Sequence, residues 1–359
     1  MKKKVLIIYN KVFSYRLKIF ELLNEKYDLT VTHIDEKYKD TEHQHNFNTM
    51  YIPVKQIGPF VFHKINLNKL AKNYDVVIGL ADIKWLSLIK LGFNPFRKFK
   101  LIYWGIGVRA SYQNKFDQKT IWSGVRHYIT DKADALIFYS DYPISKYTEA
   151  GVQKEKMFVA NNTVNAPFDN NKVIKRTNLL FIGTLYPQKG IDILLEAYKQ
   201  LKTEGFSMLI PLKIVGGGTE FNNIAEWIKS NGLVNDIEML GPIYDENKLE
   251  DIFRSSYACI SPKQAGLSVL SSMAYGTVFI TARDAITGGE MLNIKDNETG
   301  IFFDGSLQDL KEKIKFICNN TNEIERIGNN AFEHYRKNRT PAIMAQGIIN
   351  AVEYTLNKN

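Results

Sequence analysis

The chain has 359 residues, 45% hydrophobic and 24% charged, too many for one compact core and ordinary for a globular protein of two domains. Its two cysteines, Cys259 and Cys318, lie in apolar or helical-looking runs without CxxC or zinc spacing, which disfavours a disulfide framework and reads as buried thiols in a reducing cytoplasm. The net charge of +9 is uneven: residues 1–165 hold 26 Lys and Arg against 15 Asp and Glu, leaving 21 against 23 for the rest, so the first half suits an anionic partner such as a membrane surface, a phosphorylated lipid or nucleic acid.

The opening MKKKVLIIYN has only a short apolar run and no small-residue cleavage site, so it reads as a buried strand rather than a leader. No run reaches the length of a transmembrane helix. KVLIIYN, DLTVTHI, YDVVIGL, FKLIYWGIG and ADALIFYS read as short buried strands, with amphipathic segments such as YRLKIFELLNEKY between most of them. Such alternation predicts parallel βαβ units with helices on both faces. MFVANNTVN is followed by the polar APFDNNKVIKRT, read as a linker over 166–177.

A second series begins at NLLFIGTL. GIDILLEAYKQLKTEG is a helix with Ile191, Leu194, Leu195 and Tyr198 at helical spacing. PLKIVGGG, IEMLGPI, YACISP, TVFIT and GIFFDG are further strands, and the tail from SLQDLKEKIKFICNN is helical. The expected fold is α/β: two Rossmann-like, doubly wound domains facing across a cleft. Residues 1–165 form the first and 178–338 the second, with 339–359 a final helix. Ligands of such sheets bind at the carboxyl ends of the strands.

SPKQAGLSVLSSMAYG (261–276) reads as a glycine turn opening a helix. Its bare N–H groups at Gly266, Leu267 and Ser268 make an anion site, although the stretch has no carboxylate. FIGTLYPQKG (181–190) ends a strand with Gly183 and Thr184 and offers Lys189, either to a phosphate or as a solvated loop lysine. IVGGGTE places Gly217 and Gly218 after a strand, where a backbone or a ligand can approach closely; it is not GxGxxG. ITGGEML sets Glu290 after two glycines, as a catalytic carboxylate or a helix-start acid. The histidines, including His43 and His45 in TEHQHNF, show no ligand spacing, and no DxD, HExxH, GxSxG or GxxxxGK[ST] occurs.

In the first half, Arg16 follows the first strand and is a candidate phosphate or acceptor contact at the cleft rim. Trp104 and Arg109 end another strand on the acceptor side, Trp104 to stack on a sugar or to fill the core. LIKLGFNPFRKFK (88–100) and VFHKINLNKLAKN (61–73) interleave basic and apolar residues, which suits an anionic membrane face or a solvated helix.

The order of motifs, GTL…KG, KIVGGGTE, IEMLGPI, YACISP…GL…MAYG, GGE and ETGIFF, resembles the C-terminal half of GT-B glycosyltransferases of the retaining family 4, or "group 1", type. The resemblance covers residues 130–320 well and the first half in architecture only; it implies that the first domain binds the acceptor, that the second binds the nucleotide sugar, and that the helix of 339–359 returns to the first domain. It implies retaining transfer from a nucleotide-diphosphate sugar to a saccharide or lipid-linked acceptor, with no metal or other cofactor. The setting it implies is surface polysaccharide or glycolipid synthesis at the inner face of the cytoplasmic membrane. It further implies that Lys189 contacts the diphosphate, with Thr184 where an arginine is usual. Gly217 and its neighbours lie near the phosphates and ribose, and Ile243, after Pro242, meets the base. Gly266, Leu267 and Ser268 hold the distal phosphate. The family's Glu-x7-Glu pair falls on Lys263 and Ser271, neither acidic, with Ser271, Gln264 or Glu290 as candidate replacements. A degenerate transferase that binds a nucleotide or a partner without turnover is the alternative. Nucleic-acid binding would explain the charge but not the ordered motifs.

Overall fold

The structure is a computed structural model and describes residues 1–36, 45–110, 116–118, 120–168 and 172–358. His43 lies outside the described residues. The described residues divide into two compact units. Unit 1 lies within residues 1–110, 117–165 and 340–359, and unit 2 holds 166–339 together with Phe116.

Unit 1 contains β1 (Lys4–Ile8), α1 (Ser14–Lys26), β2 (Asp28–His33), β3 (Asn48–Tyr51), β4 (Val54–Ile57), β5 (Phe60–His63), α2 (Leu67–Ala71), β6 (Val76–Leu80), α3 (Leu86–Gly92), β7 (Lys100–Gly105), α4 (Ile121–Thr130), β8 (Ala135–Phe138), α5 (Tyr142–Glu149) and β9 (Met157–Val159). Among the described residues its sheet runs β3-β2-β1-β6-β7-β8-β9, all parallel. The continuous apolar run of β1 follows from burial on both faces. Val5 and Ile7 join one hydrophobic cluster with Ile19 and Phe20 of α1, while Leu6 and Ile8 join another with Leu88 and Leu91 of α3. The antiparallel hairpin β4–β5 and the edge strand β3 were not read from the sequence.

Unit 2 contains β10 (Asn178–Ile182), α6 (Ile191–Thr203), β11 (Leu212–Val215), α7 (Phe221–Ser230), β12 (Ile237–Gly241), α8 (Glu246–Arg254), β13 (Ser256–Ile260), β14 (Gln264–Ala265), α9 (Leu267–Ala274), β15 (Val278–Ala282), β16 (Ile286–Thr287), β17 (Ile301–Phe303), α10 (Leu307–Asn319) and α11 (Thr321–Asn338). Its parallel sheet runs β12-β11-β10-β13-β15-β17. Strand order reverses between β10 and β13, and such a switch point opens a crevice at the carboxyl ends of the two strands. The last helix, α12 (Pro341–Asn357), belongs to unit 1, where Met344 and Ile348 join the cluster of β1 and α1.

Candidate functional site

The loops that leave β10 and β13 at the switch point of unit 2 are stitched together. The Lys263 N–H donates to the Lys189 carbonyl (3.3 Å), and the Tyr186 hydroxyl donates to Gln264 Oε1 (2.9 Å). Lys189 ends a 3-10 turn, Pro187–Lys189, that closes on Gly190 at φ +71°. The turn folds its side chain back, so that Nζ would stand 3.1 Å from a Cβ placed on Gly183. Among the described residues no carboxylate comes within 4.0 Å of this half-buried ammonium. Burial lowers its pKa below the usual lysine range. Burial in turn pushes the Cys259 thiol up to about 12, so it stays protonated.

Gly266 is the N-cap of α9. Among the described residues no side chain caps that helix, and its first turn carries no acid. The amides of Leu267 and Ser268 are among the first N–H groups of a helix, which have no partner within it. Among the described residues a Cβ on Gly266 would meet nothing within 4 Å, so there is open space beside the N-cap. The turn is held from beneath: the Ser261 hydroxyl donates to the Gln264 carbonyl (2.7 Å), and β14 pairs in parallel with β16. Three residues after that pairing comes Glu290, directly following Gly289 (φ +114°). Its Oε2 accepts the Gly288 N–H at 3.0 Å, so the carboxylate works at least in part as a local cap.

The triple glycine acts differently from an open phosphate loop. A Cβ on Gly216 (φ +147°) would fall 1.9 Å from the Gly183 carbonyl oxygen, and one on Gly218 (φ +152°) 2.3 Å from that of Leu185. The loops after β10 and β11 thus lie backbone against backbone, joined by Gly183 N–H to Val215 O (3.0 Å) and Leu185 N–H to Gly217 O (2.9 Å). Gly217 is the exception, with Pro242 the nearest neighbour of a Cβ there, at 3.6 Å. Thr184 is exposed, and half-buried Ile243 sits between exposed Pro242 and Tyr244. The Lys263 ammonium stands 3.7 Å from Asp192, and the Ser271 hydroxyl donates back to the Leu267 carbonyl at 3.3 Å. Tyr186 was missed by sequence reasoning, because nothing local marks it as the partner of Gln264. Two grooves, of about 660 and 550 Å³, run beside this end of the sheet and share Ile193 and Lys263; Lys189 and Gly266 line neither.

In unit 1 the structure corrects one expectation, for Arg16, and decides between the two readings of Trp104. Arg16 does not rim an opening; it is buried. Its Nη2 donates to Asn162 Oδ1 (2.7 Å), Nη1 faces Met344 Sδ (2.7 Å), and its guanidinium lies 5.2 to 5.3 Å from the rings of Tyr15, Trp104 and Tyr139. Trp104 is likewise buried, stacked on Tyr9 at 5.9 Å, and offers no face to a sugar. The reason is common to both: α12 belongs to unit 1, as the family resemblance implies for the final helix, and closes this side of the sheet over residues that the local sequence leaves undecided. Arg109 is half-buried, and its carbonyl accepts the Asp117 N–H at 2.8 Å.

The family model of Glycosyl transferases group 1 matches residues 164–334. Two proteins of Methanocaldococcus jannaschii are similar in sequence. Uncharacterized glycosyltransferase MJ1178 is 27% identical over 58% of the chain, and the chain spans 57% of that relative's length. Uncharacterized glycosyltransferase MJ1069 is 26% identical over 88% of the chain and 87% of its own length. In structure the chain is similar to Anabaena Alr3699/HepE in complex with UDP, with a TM-score of 0.71, 17% identity and coverage of 98% of this chain and 100% of that one. The same Anabaena protein in complex with UDP-glucose gives a TM-score of 0.68 at 16% identity, covering 98% of this chain and 99% of that one.

Proposed function

We propose, for a GT-B-fold chain whose residues 164–334 form a Glycosyl transferases group 1 domain, that it moves a sugar from a nucleotide-diphosphate donor to a saccharide or lipid-linked acceptor with retention of configuration. One observation carries this reading: a half-buried ammonium with no carboxylate partner among the described residues, Lys189, lies in a loop bonded to the one that ends at the uncapped start of α9. The bond from the Lys263 N–H to the Lys189 carbonyl ties the loop carrying this ammonium to the loop leading into the helix start, and a cation together with bare amides is what a departing diphosphate needs. UDP and UDP-glucose in the Anabaena protein support a uridine nucleotide as the first donor to try.

In this reading Lys189 and the amides of Gly266, Leu267 and Ser268 hold the diphosphate. Gly183, Thr184, Gly217 and Gly218 shape the floor of the donor site, and Ile243 borders the base. The bond from the anomeric carbon to the diphosphate oxygen breaks as the acceptor hydroxyl oxygen bonds to that carbon on the same face. The hydroxyl proton passes to the leaving phosphate oxygen. No protein acid or metal is required for that balance. Ser271 and Glu290 border the ribose and the sugar in place of the absent glutamates, and Arg109 remains the acceptor-side candidate in unit 1. The basic excess of residues 1–165 supports work at the inner face of a membrane, on a surface polysaccharide or glycolipid.

The lysine at 263 and the back-bonded Ser271 favour a second reading, nucleotide binding without turnover. Thermal shift against UDP, GDP, ADP, TDP and CMP, with Lys189→Ala as control, tests the site. A ligand at about 100 times its dissociation constant stabilises by roughly 2.7 kcal/mol. Stabilisation of wild type but not the variant supports the site, and release of nucleoside diphosphate from the matching donor then separates transfer from binding alone. No stabilisation by any of them sinks the donor site.

A further inference from the structure

The helix α4 is amphipathic the wrong way round. At ~100° per residue, Trp122, Val125 and Tyr128 fall within an arc of about 120°. The opposite side carries His127 and Thr130. The polar side is the one turned inward: Thr130 is buried and donates to the Arg126 carbonyl (2.8 Å), and the His127 ring lies 4.3 Å from buried Tyr147. The apolar stripe is left outside, with Trp122 55%, Val125 40% and Tyr128 60% exposed.

The stripe continues into the turn after α3. The Phe93 ring lies 6.1 Å from that of Tyr128, and Phe93 is 46% and Phe96 84% exposed. Phe96 stands on a turn braced by its own N–H to Asn94 Oδ1 (3.0 Å), and Asn94 in turn bonds Asn68 at the start of α2 (2.8 Å). The turn is therefore anchored while its phenyl ring projects. An exposed apolar cluster of this kind marks an interaction surface.

Its rim is cationic. Lys90 and Lys98 are exposed, Arg126 is half-exposed, and the Lys132 ammonium lies 4.2 Å from the Tyr128 ring centroid. Among the described residues none of these four cations has a carboxylate within 4.0 Å, whereas the nearby acids are spent elsewhere. Asp134 pairs with Arg97 (3.0 Å) and Asp131 with Lys156 (2.6 Å). The patch thus presents net positive charge around rings that include two phenyls without a polar atom.

We propose that the α3–α4 face of unit 1, with Phe93, Phe96, Trp122, Val125 and Tyr128 inserting and Lys90, Lys98, Arg126 and Lys132 on the headgroups, docks on an anionic lipid bilayer. Phenyl rings at a projecting turn gain by leaving water for the acyl boundary. Trp and Tyr suit the headgroup level, and each cation near an anionic leaflet adds to binding. A nucleic acid would pair with the cations and stack on the rings but leave the aliphatic Val125 in water. This extends the membrane part of the reading above and is independent of its chemistry, so failure here leaves the nucleotide result untouched.

The test is co-sedimentation of the full chain with vesicles of phosphatidylcholine alone and with about one-third phosphatidylglycerol. The variants are Phe96→Ser/Trp122→Ser and Lys90→Glu/Lys98→Glu, all at exposed positions, with thermal denaturation confirming that each folds as wild type does. Wild type is expected to sediment with the anionic vesicles only, with a blue shift in tryptophan emission. Each variant is expected to lose binding by ~10-fold or more, and the serine variant to lose the blue shift as well. Absence of wild-type binding overturns the proposal, as does unchanged binding by the serine variant. So does a gel shift with single-stranded nucleic acid in place of vesicle binding, which would assign the face to that partner.

Discussion

The guanidinium of Arg16 lies 5.3 Å from the ring centroid of Trp104, and neither side chain reaches solvent. A buried cation held by aromatic faces, an amide oxygen and a thioether is a packing element, stabilised by cation–π attraction in a dry setting. Arg16→Ala removes the cation's contacts and leaves the cavity. It is expected to cost about 3 kcal/mol in urea denaturation, while Arg16→Met, of similar length and apolar, costs less than half of that. Nucleotide affinity should be unchanged in the Met variant; a drop would return Arg16 to the ligand-contact role that its burial argues against.

Lys189 should show a trade between binding and stability. Its folded pKa lies below the unfolded one because burial penalises the charge. The folded state therefore binds fewer protons between those two values, and stability rises with pH across that window. Lys189→Met removes the buried charge and is expected to raise Tm, by ~2–4 °C for each 1 kcal/mol gained. It should also weaken diphosphate binding by roughly 10- to 100-fold, the worth of a charge-assisted hydrogen bond. Diphosphate affinity of the wild type should fall as pH rises through the lowered lysine pKa, and isothermal titration at several pH values checks this. A variant that binds as wild type does would remove Lys189 from the site.

The three glycines after β11 should separate cleanly. Gly216→Ala and Gly218→Ala drive a Cβ into the Gly183 and Leu185 carbonyls at positive φ, and each is expected to cost more than about 3 kcal/mol or to abolish folding. Gly217→Ala meets only Pro242 at 3.6 Å and should stay within about 0.5 kcal/mol of wild type. Any loss of nucleotide affinity in Gly217→Ala then reports on the ligand and not on the fold. Equal destabilisation by all three substitutions would contradict the backbone packing described for these loops.

His63 makes unit 1 acid-sensitive. Buried beside Trp85, with ring centroids 5.3 Å apart, its imidazole is pushed down to about 4 by burial from an ordinary 6.5. The unfolded chain takes up the proton first, so stability is full above pH 6.5 and falls as the pH drops toward 4, by up to about 3 kcal/mol. His63→Phe is expected to flatten this part of the profile. Parallel wild-type and variant curves of denaturation midpoint against pH would show that His63 does not carry the effect.

Much of the architecture is legible in the amino-acid sequence. Strands such as KVLIIYN and NLLFIGTL announce themselves because a strand buried on both faces must be apolar at every position, and the helix of 191–203 because its apolar residues recur at helical spacing. The glycine turn at 266 and the lysine at 189 were legible as anion-binding chemistry because that chemistry is local, residing in backbone amides and one ammonium. What sequence could not decide was which face each side chain meets. Arg16 and Trp104 are buried because α12, more than three hundred residues after α1, packs over them. Gly216 and Gly218 serve the backbone of another loop, and α4 turns its aromatic stripe outward. Periodicity reveals that a helix has two faces. Only the packing of distant elements decides which of them is covered, because burial is a property of neighbours that the local sequence does not contain.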